Sequence, residues 1–283
     1  MKLRDRIKRV KMLVSITLTT FQKNHMGFQC VALSYFVTLA IIPFLAFIFA
    51  ITGGLGISDK LAEVLPSLVP SFGQQTVDML MSKADNIIRI AESGAVGFIG
   101  ALTFLWSILW LFFQVERVFN NVWGIRKIPR KLYTRFSFYF LVLMLTPFVV
   151  LVFGIGIFYY SNISNLIGID LEELKFLPKL IGWLVFYVIA VLTFSAMYKF
   201  IPAPKIRYES AFKSSLIAAA VFLLFQYIYL ETQVFVSRLN SVYGALAAIP
   251  LFLIWLNFSW QIIIYGAQLT YSYEHVDKLM NNE

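Results

Sequence analysis

Residues 94–123 read GAVGFIGALTFLWSILWLFFQVERVFNNVW, and their reading decides the fold. The first part, 94–115, carries no charge and exceeds the roughly 20 residues that a helix needs to cross a hydrocarbon core of about 30 Å. The second part is charged and rich in amides. Thr103, Ser107, Trp110, Gln114, Arg117 and Asn121 recur at steps of four and three, which puts them on one side of a helix. An unpaired polar group in hydrocarbon costs several kcal/mol, so such a stripe predicts a face turned to protein or water rather than to lipid.

The rest of the chain agrees with a membrane setting. Of 283 residues, 59% are hydrophobic and 14% are charged, with 28 Phe, and the mean hydropathy is +0.76; soluble domains carry roughly 25% charge. Charges fall in bursts between long apolar runs, which leaves no room for a separate soluble domain. The single cysteine, Cys30, excludes an intramolecular disulfide and a multi-cysteine metal site.

Upstream, residues 1–27 carry seven bases against Asp5, with Leu3, Ile7, Val10, Val14, Leu18 and Phe21 at helical spacing. This predicts an amphipathic helix on the cytoplasmic membrane face. The apolar run at 28–51 is longer than a signal-peptide core and is read as a retained first span containing Ser34, Thr38 and Pro43. Residues 55–93, broken by Pro66, Pro70 and Gly73, predict an extracytoplasmic helical hairpin. Downstream of 94–115, further spans are predicted at 136–158, 180–201, 214–236 and 245–270. The span at 214–236 carries Gln226, Tyr229 and Gln233, and the last carries Asn257, Gln261, Tyr265 and Gln268, both at helical spacing. The fold class is thus an all-α integral membrane protein of six transmembrane helices, with an N-terminal surface helix and a hairpin between spans one and two.

Orientation follows from charge. Alternation over six spans puts 18 of the 24 Lys and Arg on the side of the amino terminus, against 6 of the 15 Asp and Glu. The positive-inside bias then makes both termini cytoplasmic.

Several landmarks resemble one family. Tyr35 with Ile42-Pro43, the segment Asn120-Asn121-Val122-Trp123-Gly124, Tyr198 with Pro202, Tyr243-Gly244-Ala245, Trp255 and Gly266-Ala267-Gln268-Leu269 occur in order over nearly the whole chain. In this the chain resembles the YihY/BrkB family of bacterial inner-membrane proteins, historically labelled ribonuclease BN. The resemblance implies an inner-membrane address, links to envelope and lipid processes and suspected transport, with no established chemistry. Where the last motif is expected in an acidic Gly-Ala-Glu form, this chain has Gln268.

The residues themselves leave two readings of the stripes open. Polar side chains join membrane helices at about 0.6–2 kcal/mol per bond, and that explains any one stripe. Stripes on three spans, together with Ser34 and Thr38, point instead to a polar cavity inside the bundle. Its candidate lining or substrate contacts are Ser34, Thr38, Thr103, Ser107, Gln114, Glu116, Arg117, Asn121, Gln226, Gln233, Asn257, Gln261 and Gln268. Candidates for the outer mouth are Glu231, Arg238 and Tyr243. Glu116 and Arg117 read either as an inner gate or as an interfacial anchor or ion pair.

Enzymatic readings find no support in the residues. His25 and His275 stand far apart in sequence, and no phosphate-binding glycine loop, nucleophile elbow or metalloprotease motif occurs. The expectation is therefore no catalytic residue, no metal and no cofactor. The cytoplasmic bases fit topology and anionic lipid headgroups better than nucleic acid. The functional expectation is a transporter or lipid-handling protein with a polar cavity; the alternative is a scaffold that recruits an envelope partner through 55–93. An oligomer is compatible with either.

Overall fold

The computed structural model describes residues 3–54, 95–127, 131, 133, 135, 176–237 and 241–280. Every described element is an α-helix: α1 (Leu3–Lys23), α2 (Met26–Gly54), α3 (Ala95–Val122), α4 (Phe176–Phe200), α5 (Tyr208–Ser237) and α6 (Ser241–Met280). Backbone polar groups in lipid must be satisfied within their own segment, and a helix does this. Among the described residues, three helices are long and apolar enough to cross a membrane, over Trp183–Phe200, Tyr208–Gln233 and Pro250–Val276, with a shorter apolar stretch at Met26–Ile41. The expected hairpin at 55–93, the span at 136–158 and Arg238 lie outside the described residues, as does the side chain of Tyr243.

The helices overrun the apolar segments that predicted them, because hydrogen bonding does not stop where hydrophobicity does. Pro43 and Pro250 sit inside continuous helices. The helix α6 is the hub and touches the other five; α4 packs on α5, and α2 on α3. One core joins the end of α1, the start of α2, the ends of α3 and α4, the start of α5 and the second half of α6. At its centre Tyr198 is fully buried between Phe119 and Phe194, with ring centroids 6.4 and 6.1 Å away. A Cβ on Gly266 would stand 2.0 Å from the Tyr198 hydroxyl and 2.8 Å from the Ala218 Cβ, so only glycine lets α4, α5 and α6 approach this closely.

The helix α1 has two apolar faces where the sequence shows one continuous stripe. Ile7, Val10, Val14 and Leu18 are exposed, and the adjacent Leu13, Thr17 and Phe21 are buried. Phe21 stacks on Tyr265 at 3.9 Å, and the Thr17 and Ser272 hydroxyls share a hydrogen bond of 2.9 Å. One face docks on α6; the other is left for an apolar environment.

Candidate functional site

The junction between α1 and α2 is a tight turn. His25 has φ +51°, a left-handed conformation that histidine adopts more readily than most residues. The turn is held by hydrogen bonds from the Asn24 N–H to the Thr20 carbonyl and from the His25 N–H to the Gln22 carbonyl. Side chains tie it down further: the Gln29 amide donates to the Asn24 carbonyl at 3.0 Å, and the Asn24 amide donates to the Asn121 carbonyl at 3.2 Å. The turn is thereby fixed against the end of α3.

That end has its own closure. The Ile125 N–H reaches the Asn120 carbonyl and the Gly124 N–H reaches the Asn121 carbonyl, the paired bonds of a Schellman cap, with Gly124 at φ +70°. The fully buried Asn120 donates to the Glu116 carbonyl at 2.8 Å and accepts the Ala203 N–H at 2.8 Å. It joins α3 to the connection between α4 and α5. Pro202, beside this contact, is buried.

Between these two structures lies a cavity of about 520 Å³, lined by Lys23, Asn24, His25, Gln29, Ala32, Leu33, Gln114, Arg117, Val118, Asn121, Ile125 and Arg126. Its wall holds three cations and no carboxylate. Glu116 is next to Arg117 in sequence but about 100° away around the helix, and it turns from the cavity: its carboxylate accepts the Arg135 Nε–H at 2.6 Å, with 2% of the Glu116 side chain and 14% of the Arg135 side chain exposed. Arg135 also covers the Phe113 ring, 4.6 Å from its centroid. The acid beside Arg117 is thus neutralised elsewhere. None of Lys23, Arg117 and Arg126 forms an ion pair with a described carboxylate. A second hollow of about 300 Å³, between α1, α5 and α6, is lined mostly by apolar residues such as Val14, Leu18, Ile217 and Val221. It offers little to recognise a charge.

The cavity brings together Gln114, Arg117 and Asn121 of the expected residues. Ser34 and Thr38 return their hydroxyls to the Cys30 and Ser34 carbonyls of their own helix, and Ser107 to that of Thr103. The amide of Gln226 accepts the Trp255 indole N–H at 2.9 Å, joining α5 to α6. Gln233 donates to Tyr229 at 2.7 Å and Gln261 to Asn257 at 2.6 Å, both one turn along the same helix. Gln268 is fully buried, and neither of its amide atoms has a hydrogen-bond partner among the described residues. Glu231 is exposed.

Sequence reasoning gave no site role to Lys23, His25, Gln29 and Arg126, and it read Asn120 as a family landmark and a helix cap or turn, not as the bridge it forms. Lys23 and Arg126 are legible only as topological charge, and nothing in the order Asn-His-Met announces a left-handed turn. Asn120 carries a signal, since Asn-Asn followed three residues later by Gly is a helix-ending pattern.

Comparison with known proteins identifies relatives over most of the chain. The family described as Virulence factor BrkB matches residues 17–282. A UPF0761 membrane protein of Mannheimia succiniciproducens is 27% identical over 267 residues, covering 92% of this chain and 89% of the relative. One of Haemophilus influenzae is 25% identical, covering 90% and 93%. Another, of Halorhodospira halophila, is 30% identical, covering 84% of this chain and 52% of the relative. No solved structure matches the chain. The landmarks Asn120, Gly124, Tyr198 and Gly266 serve the cap, the bridge and the close approach of three helices described above, and with them the chain belongs to the BrkB family of membrane proteins, the one its sequence resembles.

Proposed function

We propose that this chain is a six-span protein of the bacterial inner membrane, with both termini cytoplasmic, which handles or transports an anionic lipid or solute and has no enzymatic chemistry of its own. One observation carries the reading: a cavity of about 520 Å³ whose wall holds Lys23, Arg117 and Arg126 without a carboxylate. Its volume is within the roughly 300–1,000 Å³ usual for small-molecule sites. By the charge count it belongs to the cytoplasmic boundary, where anionic headgroups meet basic side chains at about 1 kcal/mol per Lys or Arg. The exposed apolar face of α1 supports a helix resting in the same interface.

The test is reconstitution in liposomes that contain anionic lipid, with movement of a labelled lipid or solute across the bilayer as readout. Replacing Gln114, Arg117 and Asn121 together by Leu is expected to reduce movement at least about tenfold, as loss of a charged contact and two amides implies. Unchanged movement in a variant that retains the wild-type melting temperature rejects this cavity as the working site.

A further inference from the structure

We infer that the basic cavity selects a phosphate monoester, a group carrying two negative charges, over singly charged phosphate diesters and carboxylates. The inference deepens the reading above and rests on the same cavity. Its first support is the balance of charge. The three cations come from three separate segments: Lys23 ends α1, Arg117 stands on α3, and Arg126 follows the cap of α3. The only carboxylate adjacent to them in sequence, Glu116, is bound to Arg135 at 2.6 Å on another side of α3. A monoester carries roughly −1.5 to −2 charge at pH 7, so it matches three cations more closely than a diester, which leaves about two of them uncompensated. Two of the three are arginines, whose planar forks can each bind two phosphate oxygens.

The second support is that two of the neutral donors at this wall, on Asn24 and Gln29, are already engaged by the protein. The Asn24 amide is held by the Asn121 carbonyl and the Gln29 amide by the Asn24 carbonyl. These bonds shape the wall, and the three cations give it the charge that a doubly charged group answers. A cavity of about 520 Å³ is also far larger than a bare phosphate, which leaves room for the group esterified to it.

A phosphate monoester can be presented by a lipid headgroup or by a soluble metabolite, and the experiment separates these sources. The purified full-length chain is placed in nanodiscs of phosphatidylcholine alone, or with an equal fraction of phosphatidic acid or phosphatidylglycerol. Retention of lipid after extraction is read by native mass spectrometry. In detergent, the rise in melting temperature is titrated with glycerol 3-phosphate, glycerol-phosphodiester and lactate. Phosphatidic acid is expected to be retained at least tenfold more than phosphatidylglycerol. The triple change Lys23→Gln, Arg117→Gln, Arg126→Gln is expected to abolish that preference. Comparable saturation by glycerol 3-phosphate assigns the site to a soluble monoester; no response to it, with phosphatidic acid retained, assigns a lipid headgroup.

Equal retention of the two lipids, or an undiminished preference in the triple variant, overturns the inference. Lactate, a singly charged carboxylate, stabilising as well as the monoester does the same. If the triple variant fails to fold, Lys23→Gln and Arg126→Gln, both at exposed residues, are tested singly, each expected to lose about threefold or more of the preference. Movement in liposomes that depends on the cavity but ignores the ester class leaves the proposed function standing without this inference. Monoester selection without any movement does the reverse.

Discussion

Glu116 and Arg117 show how much a step of one residue decides at the end of a membrane helix. Read in sequence they are one intramembrane pair, open as gate or anchor; in the structure they part, Glu116 to Arg135 and Arg117 to the cavity. The pair that forms is nearly buried, and breaking such a pair leaves an uncompensated charge at a cost of about 3–5 kcal/mol. Because Glu116 is the more deeply buried partner, Arg135→Gln is expected to lower the melting temperature at least as much as Glu116→Gln, each by about 3 kcal/mol of stability. The double change is expected to recover most of that loss. Thermal unfolding of the four proteins in detergent checks it; two single variants as stable as the wild type would remove the ion pair from the account. The sequence shows why a carboxylate here needs a partner, but not which of the bases at 126–135 supplies it. That choice depends on how the chain returns after α3, and no local pattern encodes it.

At the scale of elements, the crossing segments at 180–201, 214–236 and 245–270 are the most legible feature, since lipid imposes both a length and an apolar composition on them. The polar stripes are legible as patterns and not as sites. A hydroxyl at helical spacing looks the same whether it faces a ligand or returns to its own backbone, and Ser34, Thr38 and Ser107 do the latter. Three of the twelve lining residues, Gln114, Arg117 and Asn121, can be read from steps of three and four on α3; six more, from Lys23 to Leu33, come from the junction of α1 and α2, whose turn has no periodicity. Gly124 is the element-scale feature with the cleanest test. Its φ is +70° and a Cβ there would meet nothing within 4 Å, so the cost of Gly124→Ala is backbone strain alone. That cost is expected to be about 1–2 kcal/mol, with Gly124→Asn less damaging because asparagine tolerates the left-handed region. Equal melting temperatures for all three proteins would exclude the cap.

For the whole molecule, the central fact is which helix ends meet. The core joins the start of α2, the ends of α3 and α4, the start of α5 and the second half of α6. These are the ends that the expected alternation over six spans assigns to the basic side. At this end the connection from α4 to α5 is pinned by Asn120 to Ala203 and by Arg207 to Glu274 at 3.2 Å, and Lys199 donates to the Ile206 carbonyl. The prediction is therefore about sidedness. The only cysteine, Cys30, is buried and can be replaced by Ala; Lys127, Lys205 and Glu231 are exposed and can each be changed to Cys in that background. A membrane-impermeant maleimide is expected to label Lys127→Cys and Lys205→Cys in inverted vesicles and not in intact spheroplasts, and Glu231→Cys in spheroplasts only. Labelling of the first two from opposite faces breaks the alternation of α3, α4 and α5. Labelling of both from outside keeps the bundle and reverses it in the membrane, which would move the basic cavity away from the cytoplasmic leaflet and overturn the proposed source of its anionic ligand.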